Sequence, residues 1–299
     1  MIHSVWIKEL RAPFLLLPAI FVPVGLAMAW NAGSFTLQTA VLTLVGVLSL
    51  HASVNVLNDY FDFRSGIDLA TTPTPFSGGS TVLPAKELTP TSVLYAGVAF
   101  LATGLGIGSY FLYSFSFNPV LIAIIAIAAV SVVGYSPLIS RFGMGELIAG
   151  LNFGPLLLLG TYYLETRTVA VEPILVGIAL GILVAGILYI NEFPDATADS
   201  DSGRRHLVVR WGKAKAASRF RILIVSAYLV IVAGVIAGLV TPFAILSLLA
   251  FPKAWSATKI LGQNYEKTME LIPGMAATVV ATLLTGALLF VAYAALRFI

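Results

Sequence analysis

The chain has 299 residues, 59% hydrophobic and only 10% charged, with a formal net charge of +3 and no cysteine. A soluble domain carries about a quarter charged residues, so a water-soluble fold is excluded, because there is too little polar surface to enclose a core of this size. The missing cysteine also removes disulfide frameworks, zinc–thiolate and iron–sulfur sites and a cysteine nucleophile.

Long apolar blocks dominate, where a membrane barrel would show short alternating segments. In the opening stretch, Lys8 and Arg11 precede an apolar run too long for a signal-peptide core and without a small-residue cleavage pattern. It is expected to be retained as a first span. Hydropathy places helices at roughly 13–31, 39–58, 92–113, 118–136, 145–163, 171–191, 220–239, 242–260 and 274–297. The eighth is interrupted by Pro252 and Lys253, and is expected to be short or re-entrant because an internal proline removes a hydrogen bond. The expected fold is therefore all-α. It is a polytopic membrane bundle of about nine transmembrane helices around a central cavity, one domain over residues 1–299, with cytoplasmic cap loops.

Nine spans put the loops after even-numbered helices on the side of the N-terminus. That side collects every Lys and Arg except Arg167 and Arg297. The positive-inside rule makes it cytoplasmic, in a cell membrane crossed many times. Most of these cations serve topology and lipid phosphates. The long connections, roughly 59–91 and 192–219, fall on this side, and long ordered loops tend to be functional. The first holds Thr71 to Pro84, whose prolines and glycines favour a folded lid.

Aspartate occurs only at Asp59, Asp62, Asp68, Asp195, Asp199 and Asp201, all within those two connections. Asn58-Asp59-Tyr60-Phe61-Asp62 and Asn191-Glu192-Phe193-Pro194-Asp195 share the order Asn, acid, aromatic, any, Asp. They leave helices four spans apart, as a duplicated four-helix unit would. Residues four apart share a helix face, which pairs Asn58 with Asp62 and, if a helix restarts after Pro194, Asp195 with Asp199. Such carboxylates repel unless a cation sits between them. The bland alternative is two solvated acidic loops. Hard oxygen donors without histidine or cysteine suit Mg²⁺, Ca²⁺ or Mn²⁺. Arg64, Arg141 and Gly203-Arg204-Arg205 supply cations for phosphate oxygens. His3, His51 and His206 look isolated, and the glycines of Gly104 to Gly108 read as helix-packing residues. Glu146 and Asn152 are polar in an apolar span and border either a cavity or an interhelical hydrogen bond.

These residues resemble the UbiA superfamily of intramembrane aromatic prenyltransferases. The resemblance rests on Asn58 to Asp68 (NDYFDFRSGID) and on Asp195-Ala196-Thr197-Ala198-Asp199 followed by Gly203 to Gly212 (GRRHLVVRWG). It implies that Asn58, Asp62, Asp195 and Asp199 hold Mg²⁺ and the diphosphate of a prenyl donor, with Asp59 and Asp68 nearby in the same role. It also implies diphosphate contacts from Arg11, Arg64 and Arg141, with Arg204 in the same basic set, and an acceptor pocket bordered by Tyr135 and the Tyr162-Tyr163 pair. Gly66 stands where the commonest first motif has its third aspartate, and Asp68 comes two residues later. This longer form, and the stretch Glu146 to Tyr163, look like the menaquinone branch, whereas Pro194 departs from the arginine often found at its position. The implied activity is Mg²⁺-dependent polyprenyl transfer to an aromatic ring, foremost 1,4-dihydroxy-2-naphthoate, with 4-hydroxybenzoate or a prenylated glyceryl phosphate as alternatives. The partners are then a prenyl diphosphate, that acceptor and the bilayer. Nucleic acid is not among them, and the oligomeric state is left open. A cation-coupled transporter is the rival from another class, but its site would lie near the midplane rather than at one membrane edge.

Overall fold

The computed structural model describes residues 2–66, 73–134, 143–201 and 203–298, and the regular structure among them is helical. Asp68, Tyr135 and Arg141 lie outside the described residues. The helices are α1 (Ile2–Glu9), α2 (Ala12–Asn31), α3 (Leu37–Ser65), α4 (Pro90–Ser114), α5 (Pro119–Gly134) and α6 (Gly145–Leu151). A π turn, Asn152–Leu156, joins α6 to α7 (Leu157–Thr166); α8 (Val171–Asp201), α9 (Leu207–Trp211) and α10 (Lys213–Ile236) follow. A 3₁₀ segment, Pro242–Ala250, leads into α11 (Phe251–Asn264), and α12 (Thr268–Ala295) closes the bundle. Among the described residues eight helices are long and apolar enough to cross a membrane, and Pro119–Val132 is a shorter apolar ninth. The expected bundle of about nine helices is the observed architecture.

The helix ends differ from the hydropathy reading, and the differences matter to the site. The second span continues to Ser65, so Asn58, Asp59 and Asp62 stand on its last turns rather than in a loop; Gly66, at φ 83°, ends it. The sixth continues to Asp201 straight through Pro194. Phe193 is not displaced from helix, and the proline removes one backbone donor without ending α8. Hydropathy windows stop where charge begins, but a helix that packs on protein at its end does not need apolar residues there. The seventh span starts at Lys213 for the same reason. In the eighth, the break falls at Ala250, and Pro252 sits in the first turn of α11, where a missing N–H costs nothing.

Of the eight long spans, α8 is the most enclosed by protein and α4 the least. Large apolar side chains such as Tyr95, Ile222, Ile236 and Leu249 face outward, as lipid contact requires. The fifth span, α6 to α7, lies against α8 through glycine. A Cβ on Gly154 would come 2.3 Å from the Gly177 carbonyl oxygen, and one on Gly181 would come 2.3 Å from that of Gly150. Small residues bring the backbones this close, and the π turn holding Gly154 and Pro155 is where the fifth span bends over α8. Of the Gly104 to Gly108 stretch only Gly104 packs tightly, against Leu50; a Cβ on Gly106 would meet nothing within 4 Å. At the end of the bundle away from the aspartates, Asn31 Nδ2 donates to the Tyr293 carbonyl at 2.7 Å, and Glu172 accepts from the Thr241 amide at 2.8 Å and the Tyr293 hydroxyl at 2.7 Å.

Gly181→Ala therefore drives a methyl into backbone that cannot yield, and is expected to cost about 1–3 kcal/mol, read as a lower Tm in detergent. Gly106→Ala, in open space on α4, is expected to leave Tm unchanged or slightly raised.

Candidate active site

On α3, His51, Asn55, Asn58 and Asp62 follow at helical spacing and share one face. On α8, Asn191, Asp195 and Asp199 do the same. Both faces line one cavity of about 410 Å³ enclosed by α2 to α8. Its mouth is polar, and its depth is walled by residues such as Ile107, Phe111, Ile124 and Leu157.

At the mouth, the Arg204 guanidinium joins the two helices. One of its nitrogens donates to Asp62 Oδ1 and the other to Asp199 Oδ1 at 3.3 Å. Asn58 Nδ2 donates to Asp62 Oδ2 at 3.0 Å. Asp195 meets the Ser77 hydroxyl and the Gly78 amide, while its Oδ1 has no hydrogen-bond partner among the described residues. Arg11 lines the same cavity, donates to the Phe76 carbonyl at 3.3 Å and lies 5.4 Å from the Phe14 ring centroid. Asn58, Asp62, Asp195, Asp199, Arg11 and Arg204 are thus brought to one chamber.

Local geometry fixes Arg204. Gly203, at φ 84°, turns the chain out of α8, and the Arg204 amide donates back to the Asp199 carbonyl at 2.9 Å. The next residue presses on Gly143, where a Cβ would sit 2.0 Å from the Arg205 carbonyl oxygen. Glu146 Oε1 then accepts from the Leu207 amide at 3.0 Å at the start of α9, so it anchors the basic segment and does not line the cavity, whereas Asn152 does. His206 is not isolated. Its Nδ1 lies 3.2 Å from Glu192 and its Nε2 3.2 Å from Asp199. Burial opposes charge on the imidazole, but hydrogen bonds to Asp199 and Glu192 outweigh it and push the pKa up to about 10. The ring is held between Asp199 and Glu192 at the start of α9.

Asp59 does not reach the cavity. It is fully buried on another face of α3, where it accepts from the Ser80 amide at 2.8 Å and shares the Ser80 hydroxyl with Glu9, 2.8 Å from that oxygen. Its place is to hold the segment after residue 73, which carries Ser77, Gly78 and Gly79 into the cavity. Arg64 is exposed beyond the cavity. Tyr162 packs on the core around α2 rather than on the cavity wall. Glu192, Asn191, Asn55 and His51 line the chamber; the sequence shows Asn191 and Glu192 only as part of the second motif, leaves His51 isolated and gives Asn55 no role, and the signal that places all four is the three- and four-residue spacing once α3 and α8 are extended.

The profile of the UbiA prenyltransferase family matches residues 15–272. The chain belongs to the UbiA prenyltransferase family. It is 29% identical over 276 residues to the 1,4-dihydroxy-2-naphthoate octaprenyltransferase of Bacillus subtilis, covering 91% of this chain and 87% of that one. It is 32% identical over 205 residues to the protein of the same name from Haemophilus influenzae, covering 67% and 66%. Among solved structures, a UbiA homologue from Archaeoglobus fulgidus bound to DMAPP and Mg²⁺ superposes with TM-score 0.63 at 17% identity over 95% of this chain and 98% of that one. One from Aeropyrum pernix gives 0.67 at 17% identity over 93% and 97%. The helical architecture of this UbiA chain is thus a fold found in solved members.

One hydroxyl proton cannot serve two carboxylates, so the Glu9–Ser80–Asp59 contact needs a second proton. Glu9 holds it: burial first, then the charge of Asp59, push its pKa up from 4.5 to about 8. A carboxyl whose folded-state pKa is raised stabilises the fold fully below about 4.5 and loses that contribution as pH rises through about 8. Tm in detergent is expected to fall across that interval, and Glu9→Gln, which keeps a neutral hydrogen-bonding group, is expected to flatten the fall.

Proposed function

We propose that this chain transfers a polyprenyl group from its diphosphate to the ring of 1,4-dihydroxy-2-naphthoate, with Mg²⁺, at a site open to the cytoplasm. The observation that carries this reading is the Asp62–Arg204–Asp199 bridge: acidic faces of α3 and α8 meet at the mouth of an apolar chamber, with a cation already between them. The relatives' named substrate supports the choice of acceptor. The clustering of cations at this end of the bundle supports the cytoplasmic orientation.

The donor set fits Mg²⁺. It consists of carboxylate and amide oxygens from Asn58, Asp62, Asp195 and Asp199, and the unpartnered Asp195 Oδ1 is the kind of buried acceptor a hard cation satisfies. When bound, Mg²⁺ supplies Lewis-acid stabilisation of charge on the leaving diphosphate. Arg204 and Arg11 then neutralise phosphate oxygens, Arg204 turning from the carboxylates to do so. Ser77, Gly78 and Gly79 cover the headgroup from the lid side. As the allylic C–O bond breaks, its electron pair leaves with the diphosphate; a ring carbon of the acceptor forms the new C–C bond at C1 and then loses its proton, which the basic diphosphate carries away as the aromatic ring is restored. The apolar walls keep water from the cationic carbon and hold the tail. Aromatic faces such as Phe153 and Phe111 tolerate positive charge beside them. The two alternative acceptors and the transporter reading gain no specific support from this geometry.

Purified protein with Mg²⁺ and a polyprenyl diphosphate is expected to prenylate 1,4-dihydroxy-2-naphthoate, chelation is expected to stop turnover, and Asp62→Asn is expected to abolish it with Tm retained. Product from 4-hydroxybenzoate or a prenylated glyceryl phosphate, with none from the naphthoate, would overturn the acceptor. Because the chain has no cysteine, single cysteines report sidedness directly. In intact cells a membrane-impermeant maleimide is expected to label Thr168→Cys but not Lys86→Cys; the reverse would place the site outside.

A further inference from the structure

Seven residues before Asn58, on the face of α3 that carries Asn58 and Asp62, stands His51. It lines the cavity and is 8% exposed. Phe153 meets its ring edge-on with centroids 4.6 Å apart, which fixes the plane of the imidazole. Nδ1 has no hydrogen-bond partner among the described residues. A buried polar atom without a partner is costly, and the Asn55 and Asn152 side chains that line the cavity are engaged elsewhere: the Asn55 amide donates to the Leu10 carbonyl, and the Asn152 amide to the Ser131 hydroxyl and the Ile148 carbonyl. The partner is expected from a ligand.

Seven residues of α-helix place His51 about 10 Å deeper than Asn58. A diphosphate held at Asn58 and Asp62 fills the first part of that depth, and the allylic carbon and the ring it joins fill the rest. We propose that His51 is an acceptor-binding residue whose Nδ1 pairs with a ring hydroxyl of the aromatic acceptor, turning the ring towards C1 and selecting hydroxylated rings. The inference rests on the reading of this chain as an aromatic prenyltransferase. A hydroxyl both donates and accepts, so it satisfies Nδ1 in either tautomer. Where Nδ1 accepts, the hydroxyl oxygen gains electron density and the ring carbon becomes the better nucleophile. No bond to His51 forms or breaks.

The test is steady-state kinetics with wild type, His51→Leu and His51→Asn, on 1,4-dihydroxy-2-naphthoate and on its two analogues lacking one ring hydroxyl. His51→Leu is expected to raise the KM of the dihydroxy acceptor about tenfold or more, while the KM of the prenyl diphosphate stays within about twofold. His51→Asn, whose carboxamide oxygen stands near the place of Nδ1, is expected to recover most of the loss. For one analogue, the one lacking the contacted hydroxyl, wild type and His51→Leu are expected to have the same KM. An acceptor KM unchanged in His51→Leu, or equal rises for both substrates, overturns the inference. His51→Ala, which removes the ring without adding bulk, gives the same comparison if the leucine variant does not fold. A wild type that prenylates no hydroxylated ring overturns the functional reading and this inference with it, whereas an active wild type matched by His51→Leu overturns the inference alone.

Discussion

The site depends on a buried charge bridge between two membrane helices. Asp62 near the end of α3 and Asp199 near the end of α8 are both largely enclosed, and Arg204 spans them. Like charges in such surroundings do not stay together without a cation. The arrangement therefore defines a place where positive charge is required and where the identity of that charge can change. With the Arg204 guanidinium there the carboxylates are satisfied; were Asp62 and Asp199 to hold divalent ions instead, Arg204 would be released to bind phosphate oxygens. The need for positive charge joins the structure of the chamber to the chemistry proposed for it.

Rigid elements hold that place. Its carboxylates stand on helix turns, where residues three and four apart aim into one space, rather than on mobile loops. Glycine contacts seat the fifth span on α8, and the clamp formed by Gly143, Glu146 and the turn at Gly203 seats the basic segment. The segment after residue 73 is tied to α1 and α3 through Ser80, whose amide donates to Asp59 and whose hydroxyl lies between Glu9 and Asp59. The three anchors come from different parts of the chain.

Much of this was legible in the sequence, for physical reasons. Spans of about 20 apolar residues have few alternatives in a bilayer, and six aspartates confined to two short stretches of a 10% charged chain are conspicuous. The reading went astray where a single residue's burial decides its direction. Asp59 sits one position from Asn58, which turns it about 100° around the helix, away from the cavity and onto Ser80. Arg64 has the charge of a phosphate ligand but points to solvent. His206 looked isolated because its partners, Glu192 and Asp199, are fourteen and seven residues away in sequence and meet it only when α8 ends and the chain doubles back. Pro194 suggested a break that the packing of α8 overrides.

The decisive measurement is a double-mutant cycle on binding of a non-ionising prenyl thiodiphosphate in Mg²⁺, by calorimetry, with Asp62→Asn, Asp199→Asn and both together. If carboxylates of α3 and α8 share one metal–diphosphate cluster, each single substitution removes most of the affinity and the double loses little more. Losses in the two single variants that simply add in the double would mean that the helices act on separate ligands, and would contradict the account.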